Sequence, residues 1–179
     1  VNIPHKDSFK ALGVQITANG RTHKEIKTKC DVTHSIYPEY KAMFNTRGST
    51  QTQRLILCMK MLDDKALWSA GICALTVADL KSLRRATQPY LRRLLREPKT
   101  LDEDSGDYVH RCNSKIKQIL KDNKMEAVSA MALRHQHKYA GHLARQNTQE
   151  KHIILRAAVL DIELAWQNTM SMLNRGNTG

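Results

Sequence analysis

The sequence predicts a mainly α protein: an N-terminal β-hairpin followed by a bundle of about five to six helices. Three observations carry this. Apolar residues recur at three- and four-residue steps over most of the chain, the mark of one helix face. Only residues 8–17 show β-formers in partial alternation, at Leu12, Val14 and Ile16. Hydrophobic residues make up 41% of the 179 positions but aromatics only 5%, and the apolar set is dominated by Leu, Ala, Met and Ile, which favours packed helices over a sandwich.

Asn19-Gly20 follows the β-like stretch and suits a tight turn needing positive φ. Beyond it, Ile26, Cys30, Thr33, Tyr37, Tyr40 and Phe44 mark one face of a helix interrupted by Pro38, with Lys24, Lys27 and Lys29 around the other side. Arg47-Gly48-Ser49-Thr50 breaks the pattern, and Thr50 is placed to N-cap the next helix. From Gln51 to about Cys73 the stripe is Leu55, Met59, Leu62, Ala66 and Ala70. Residues 67–75 are apolar nearly all round, which predicts the most buried helix. Thr76 caps a restart. Over residues 80–96, Leu80, Leu83, Tyr90, Leu91, Leu94 and Leu95 fall opposite Arg84, Arg85, Arg92, Arg93 and Arg96, and Pro89 is expected to kink or split the helix. An acidic loop at 97–107 precedes helices over about 108–121 (Val109, Cys112, Ile116 and Ile119 inward), 126–145 and 149–173. In the last of these Ile153, Ala157, Leu160, Leu164 and Met172 face inward.

The formal net charge of +12 bears on partners more than on fold, since it attracts polyanions, nucleic acid foremost. The set at 84, 85, 92, 93 and 96 reads either as a solvated face or as a phosphate grip. With no acid between positions 80 and 96, internal salt bridges do not account for it, and guanidinium groups suit bidentate phosphate contacts. Four cysteines, Cys30, Cys58, Cys73 and Cys112, form no C-x-x-C pair and read as small core residues of a reducing compartment. The longest uncharged stretch, 66–78, is too short to span a bilayer, so no membrane partner is expected. There is no signal peptide, and a start at Val1 suggests a fragment. His135, His137 and His142 lack the carboxylate or Cys that would complete a ligand set; Asp102, Asp104 and Asp107 lack the distal Glu of a calcium loop. Trp68 and Trp166 lie in apolar stripes and read as core rather than as base-stacking groups.

Four segments occur together in one order. They are Phe9-Lys10-Ala11-Leu12-Gly13-Val14, then Leu67-Trp68-Ser69-Ala70-Gly71, then the Leu/Arg helix from Leu80 to Leu95, and finally Tyr139-Ala140-Gly141-His142-Leu143-Ala144-Arg145. In order and spacing they resemble the end of the palm and the thumb of reverse transcriptases from LINE-type (non-LTR) retrotransposons. The departures are Tyr139 where Trp is usual, Asp64 where an apolar residue or Pro is common, Pro89 within the Arg-rich helix, and only a loose match over 146–179.

The resemblance implies a division into a palm-end hairpin (1–21), thumb-like helices (22–97), the acidic loop (98–107) and a C-terminal helical region (108–179). It implies that Phe9, Leu12 and Gly13 are primer-grip-like, and that Lys24, Lys27, Arg84, Arg85, Arg92, Arg93, Arg96 and Arg145 contact a template–primer duplex. No catalytic or metal-binding residue is expected here: the only Asp-Asp, Asp63-Asp64, lies in a helical pattern without a partner aspartate on a strand, and reads as a helix surface or a helix break. Magnesium would belong to a palm upstream, with the fingers, in the same polyprotein. The implied localisation is nuclear, with a cytoplasmic ribonucleoprotein stage. The alternative is a stand-alone basic helical nucleic-acid-binding module. An independent hydrolase or metalloenzyme has no nucleophile–base or ligand constellation behind it.

Overall fold

The computed structural model describes the backbone of residues 8–11, 14–17 and 23–146, and the side chains of Val14 and residues 23–142. The described chain is mainly helical, with six α-helices. They are α1 (His23–Glu39), α2 (Lys41–Phe44), α3 (Gln51–Met61), α4 (Val77–Leu95), α5 (Ser105–Asp122) and α6 (Val128–Gln146). The helix expected over 149–173, and with it Trp166, lies outside the described residues.

Two four-residue strands precede the helices, β1 (Ser8–Ala11) and β2 (Val14–Thr17), antiparallel with Phe9 opposite Ile16 and Ala11 opposite Val14. The pairing therefore forms within residues 8–17 and not across Asn19-Gly20. Leu12, Gly13, Asn19 and Gly20 themselves lie outside the described residues.

Three helices start where local chemistry dictates. Thr50 Oγ1 accepts from the Gln53 backbone N–H at 3.2 Å while Gln53 Oε1 accepts from the Thr50 N–H at 2.9 Å, a reciprocal capping box. Thr76 and Asp79 repeat it at the start of α4. At α5 the cap is Asp104, whose carboxylate accepts from the Gly106 N–H at 2.7 Å, so the helix begins three residues before Tyr108. Loop 97–104 is fastened to α5: Arg111 forks onto both Glu103 oxygens at 2.8 Å and donates to the Pro98 carbonyl at 2.9 Å. That fork holds the Glu103 carboxyl down at about 2.

Several expectations are corrected. First, α3 does not continue to Cys73. It ends at Met61 in a π-turn over Leu62–Ala66, closed by the Leu67 N–H on the Leu62 carbonyl at 3.0 Å; a bend and a 3₁₀ turn at Ala70–Ile72 follow. The stripe residues Leu55, Met59, Leu62, Ala66 and Ala70 are nonetheless all buried. Second, the bend turns Trp68 outward, leaving it 50% exposed, with Ile72 further along the chain also exposed. Third, α4 runs unbroken through Pro89. The hydrogen bond that Pro89 cannot donate would have reached Arg85, and both residues lie on the solvent face, where water can serve the freed carbonyl. Pro38 is likewise inside α1, which ends at Glu39. Val109, expected inward, is exposed; Tyr108 packs against the core instead.

One core joins all of these helices from Ile26 to Ala132, with Leu83, Leu94 and Leu95 of α4 at 1% exposure or less. Cys58, Cys73 and Cys112 are buried free thiols, and burial pushes those of Cys58 and Cys73 up to about 12. The 3₁₀ turn lies on α6. A Cβ on Gly71 would stand 2.8 Å from the His135 carbonyl oxygen and 3.0 Å from Tyr139 Cβ. Gly71→Ala should therefore cost about 1–3 kcal/mol in a urea melt, since backbone cannot yield as a side-chain tip does; a neutral change would mean that this contact relaxes freely.

Candidate nucleic-acid interface

The fold brings part of the arginine set together. On α4, Lys81, Arg84, Arg85, Gln88 and Arg92 line one shallow basic depression of about 360 Å³. Their spacing places them within about a third of the helix circumference. Arg84 and Arg85 are exposed and, among the described residues, form no ion pair or hydrogen bond. Arg92 is half-buried and donates to Asn113 Oδ1 of α5 at 3.2 Å. Arg93 sits around the helix toward α1, its guanidinium 4.8 Å from the Tyr37 ring centre. It lines a second depression of about 480 Å³ with Pro89, Tyr90, Arg92 and Tyr108. Tyr90 locks α4 against α1 by stacking on Tyr37 at 5.9 Å and by a 2.9 Å hydrogen bond between its hydroxyl and His34 Nδ1.

Arg96 departs from the expected stripe. It is the left-handed C-cap of α4 (φ 53°), and its guanidinium donates to the Phe44 carbonyl at 3.3 Å and to Asn45 Oδ1. That side chain ties α4 to the end of α2. Arg54 fixes the same end from below: buried, it donates from Nε to the Leu94 carbonyl at 3.0 Å and from Nη1 to the Ser49 carbonyl at 2.5 Å. Burial holds the Arg54 guanidinium below its ordinary value, and the nearby Arg96 charge adds to this. Arg54→Ala should lose about 2–3 kcal/mol by calorimetry, with Arg54→Lys recovering only part, because an ammonium cannot reproduce the fork.

Lys24 and Lys27 are exposed in the first turns of α1. They precede His34, the point of contact with Tyr90, by roughly 10–15 Å along the helix axis. Lys29 does not join them on the outer face. It is 3% exposed, paired with Glu25 at 3.0 Å and 5.1 Å from the centre of the Trp68 ring. Arg145 is in the last turn of α6, with its side chain outside the described part; Phe9 is on β1 with only its backbone described. Sequence reasoning missed Lys81, one turn before Arg84 and Arg85 on the same face, and the α5 lysines Lys117 and Lys121. An i, i+4 pair of lysines in the 108–121 helix was the available signal.

Asp63 is committed elsewhere. The π-turn aims it at α6, where His135 Nε2 approaches Oδ1 at 2.5 Å and Arg134 Nη2 donates to Oδ2 at 3.0 Å. Burial pushes the Asp63 carboxyl up, but those two partners outweigh it and hold it below its ordinary value. Among the described residues no three His, Cys, Asp or Glu side chains converge as metal ligands would, and no helix is long and apolar enough to cross a membrane. Because the Asp63 carboxyl is lowered in the folded state, its contribution is present above the unfolded carboxylate range and is lost as pH falls through the folded value. Asp63→Asn should therefore cost about 1.5–3 kcal/mol at pH 7, with the gap to wild type narrowing below about pH 4. A gap independent of pH would show that charge on Asp63 does not matter.

Compared with protein-family models, curated proteins and solved structures, the chain matches none.

Proposed function

We propose that this chain is the non-catalytic, duplex-holding part of a non-LTR retrotransposon reverse transcriptase, with α4 as its main phosphate-contacting helix. The observation that carries the reading is the acid-free basic face of α4, on which Arg84 and Arg85 stand exposed beside Lys81 and Arg92. Phosphate contacts of this kind are largely independent of sequence and sensitive to salt. The four ordered motif segments support the family, and two of them pack on each other where Gly71 meets Tyr139.

In this reading the β-hairpin is the end of the palm, with Phe9, Leu12 and Gly13 beside the primer 3′ end. Lys24, Lys27 and Arg145 add outlying phosphate contacts. Catalytic aspartates and their magnesium belong to a palm encoded upstream, and the protein works in the nucleus after a cytoplasmic ribonucleoprotein stage. A stand-alone basic helical module is the second reading, favoured by the single core that runs from Ile26 to Ala132. The coding sequence upstream separates the two: an (aromatic)-x-Asp-Asp strand shortly before residue 1 supports the polymerase, whereas a start codon without a palm supports the module. Both predict that charge reversal at Arg84, Arg85, Arg92 and Arg93 markedly weakens duplex retention in a filter assay at moderate salt. Unchanged retention contradicts both.

A further inference from the structure

On the α5 side of α4 lies a deeper groove of about 690 Å³, bounded by α4, α5 and the start of α6. Its floor is aliphatic, made by Leu91, Ile116, Leu120 and Val128, with Met59 and the half-buried Met125 at one end. Its rim is cationic: Arg84, Lys117 and Lys121 are all exposed, with the polar His110 beside them, and among the described residues no Asp or Glu lines it. In its wall the Gln88 Oε1 acceptor is shielded from solvent and has no donor among the described residues.

We propose that this groove docks an acidic amphipathic helix of a partner protein. Charge complementarity selects the occupant's outer face: carboxylates beside Lys117, Lys121 and Arg84 would meet cations, of which Arg84 has no partner among the described residues. The floor selects its inner face. Aliphatic anchors at i, i+3, i+4 and i+7 fit an apolar trough, and methionines adapt to anchors of different shape. A nucleic-acid strand is the weaker fit, because among the described residues no Phe, Tyr or Trp lines the groove and unpaired bases bind proteins largely by stacking on such rings. Since Arg84 faces both the groove and the α4 depression, the docked helix and a duplex would compete for it.

The test uses the full 179-residue chain and three fluorescent probes. One is a synthetic peptide of about 18 residues, long enough for a marginal helix, with Leu at the anchor positions and Glu elsewhere. The second is the same composition scrambled, and the third is a single-stranded oligothymidine. By anisotropy the amphipathic peptide should bind at least about tenfold tighter than the scrambled one. Lys117→Glu/Lys121→Glu, and separately Met125→Gln on the floor, should each remove most of that preference while circular dichroism stays unchanged. Lys41→Glu/Arg47→Glu, the same charge change on exposed residues that do not line the groove, should preserve it. Equal binding of the two peptides, no peptide binding, or displacement of peptide by oligothymidine with higher affinity at the groove would each overturn the proposal.

Discussion

Glu25→Ala lowers stability by about 3–5 kcal/mol, read as a shift of the urea midpoint at constant slope. Glu25 is 1% exposed and Lys29 3%; the carboxylate takes the Lys29 ammonium at 3.0 Å and the Ser69 hydroxyl at 2.9 Å. Removing Glu25 strands a buried cation whose remaining neighbour, the Trp68 ring, offers about 1–2 kcal/mol at most. Domains of this size hold only about 5–15 kcal/mol in total, so the variant sits near the limit of folding. The paired change Glu25→Leu/Lys29→Met removes both charges and should come out near neutral, because desolvating an ion pair offsets much of its attraction. A double variant as unstable as the single one would show that the network matters for its packing and not for its charge.

Reversing Arg84, Arg85, Arg92 and Arg93 is expected to have the largest effect on binding. Each phosphate contact releases about 0.9 of a counterion, which at about 0.1 M salt corresponds to roughly tenfold in affinity per contact. Four losses amount to about 10³-fold or more, since reversal adds repulsion. The fold should survive. Arg84 and Arg85 support nothing else among the described residues, Arg92 loses one bond to Asn113, and Arg93 loses its seat over Tyr37, an exposed contact of about 0.5–1 kcal/mol. A loss below tenfold, with helicity intact, would place the duplex on another surface.

What the sequence made legible follows from how local each signal is. Thr50 and Thr76 were readable as caps because a capping box closes within four residues. The α4 face was readable because its leucines and arginines separate at helical spacing without help from elsewhere. The end of α3 was only half legible: Asp63-Asp64 read as either a helix surface or a helix break, and the choice depends on distant partners, since the π-turn is joined by Asp63 to Arg134 and His135, some seventy positions away in the chain. Trp68 and Lys29 were misplaced for a related reason. Once the helix ends at Met61, position 68 turns outward, and Lys29 turns inward to meet Glu25, whose carboxylate also takes the Ser69 hydroxyl. Arg96 looked like one more arginine of the stripe, but the left-handed C-cap swings it onto Phe44 and Asn45. The hairpin was legible as β, although its register pairs residues within 8–17 and not across Asn19-Gly20.

The central claim is that α4 grips phosphate, and salt dependence tests it most directly. Duplex affinity of the wild-type chain and of Arg84→Gln/Arg85→Gln should be measured from about 50 to 200 mM salt. The account predicts a log–log slope shallower in the double variant by about 1.8, two contacts' worth, with the lines converging at high salt. Parallel lines, or superimposable ones, would contradict it: the first would mean that the arginines act without touching phosphate, the second that the duplex never meets α4.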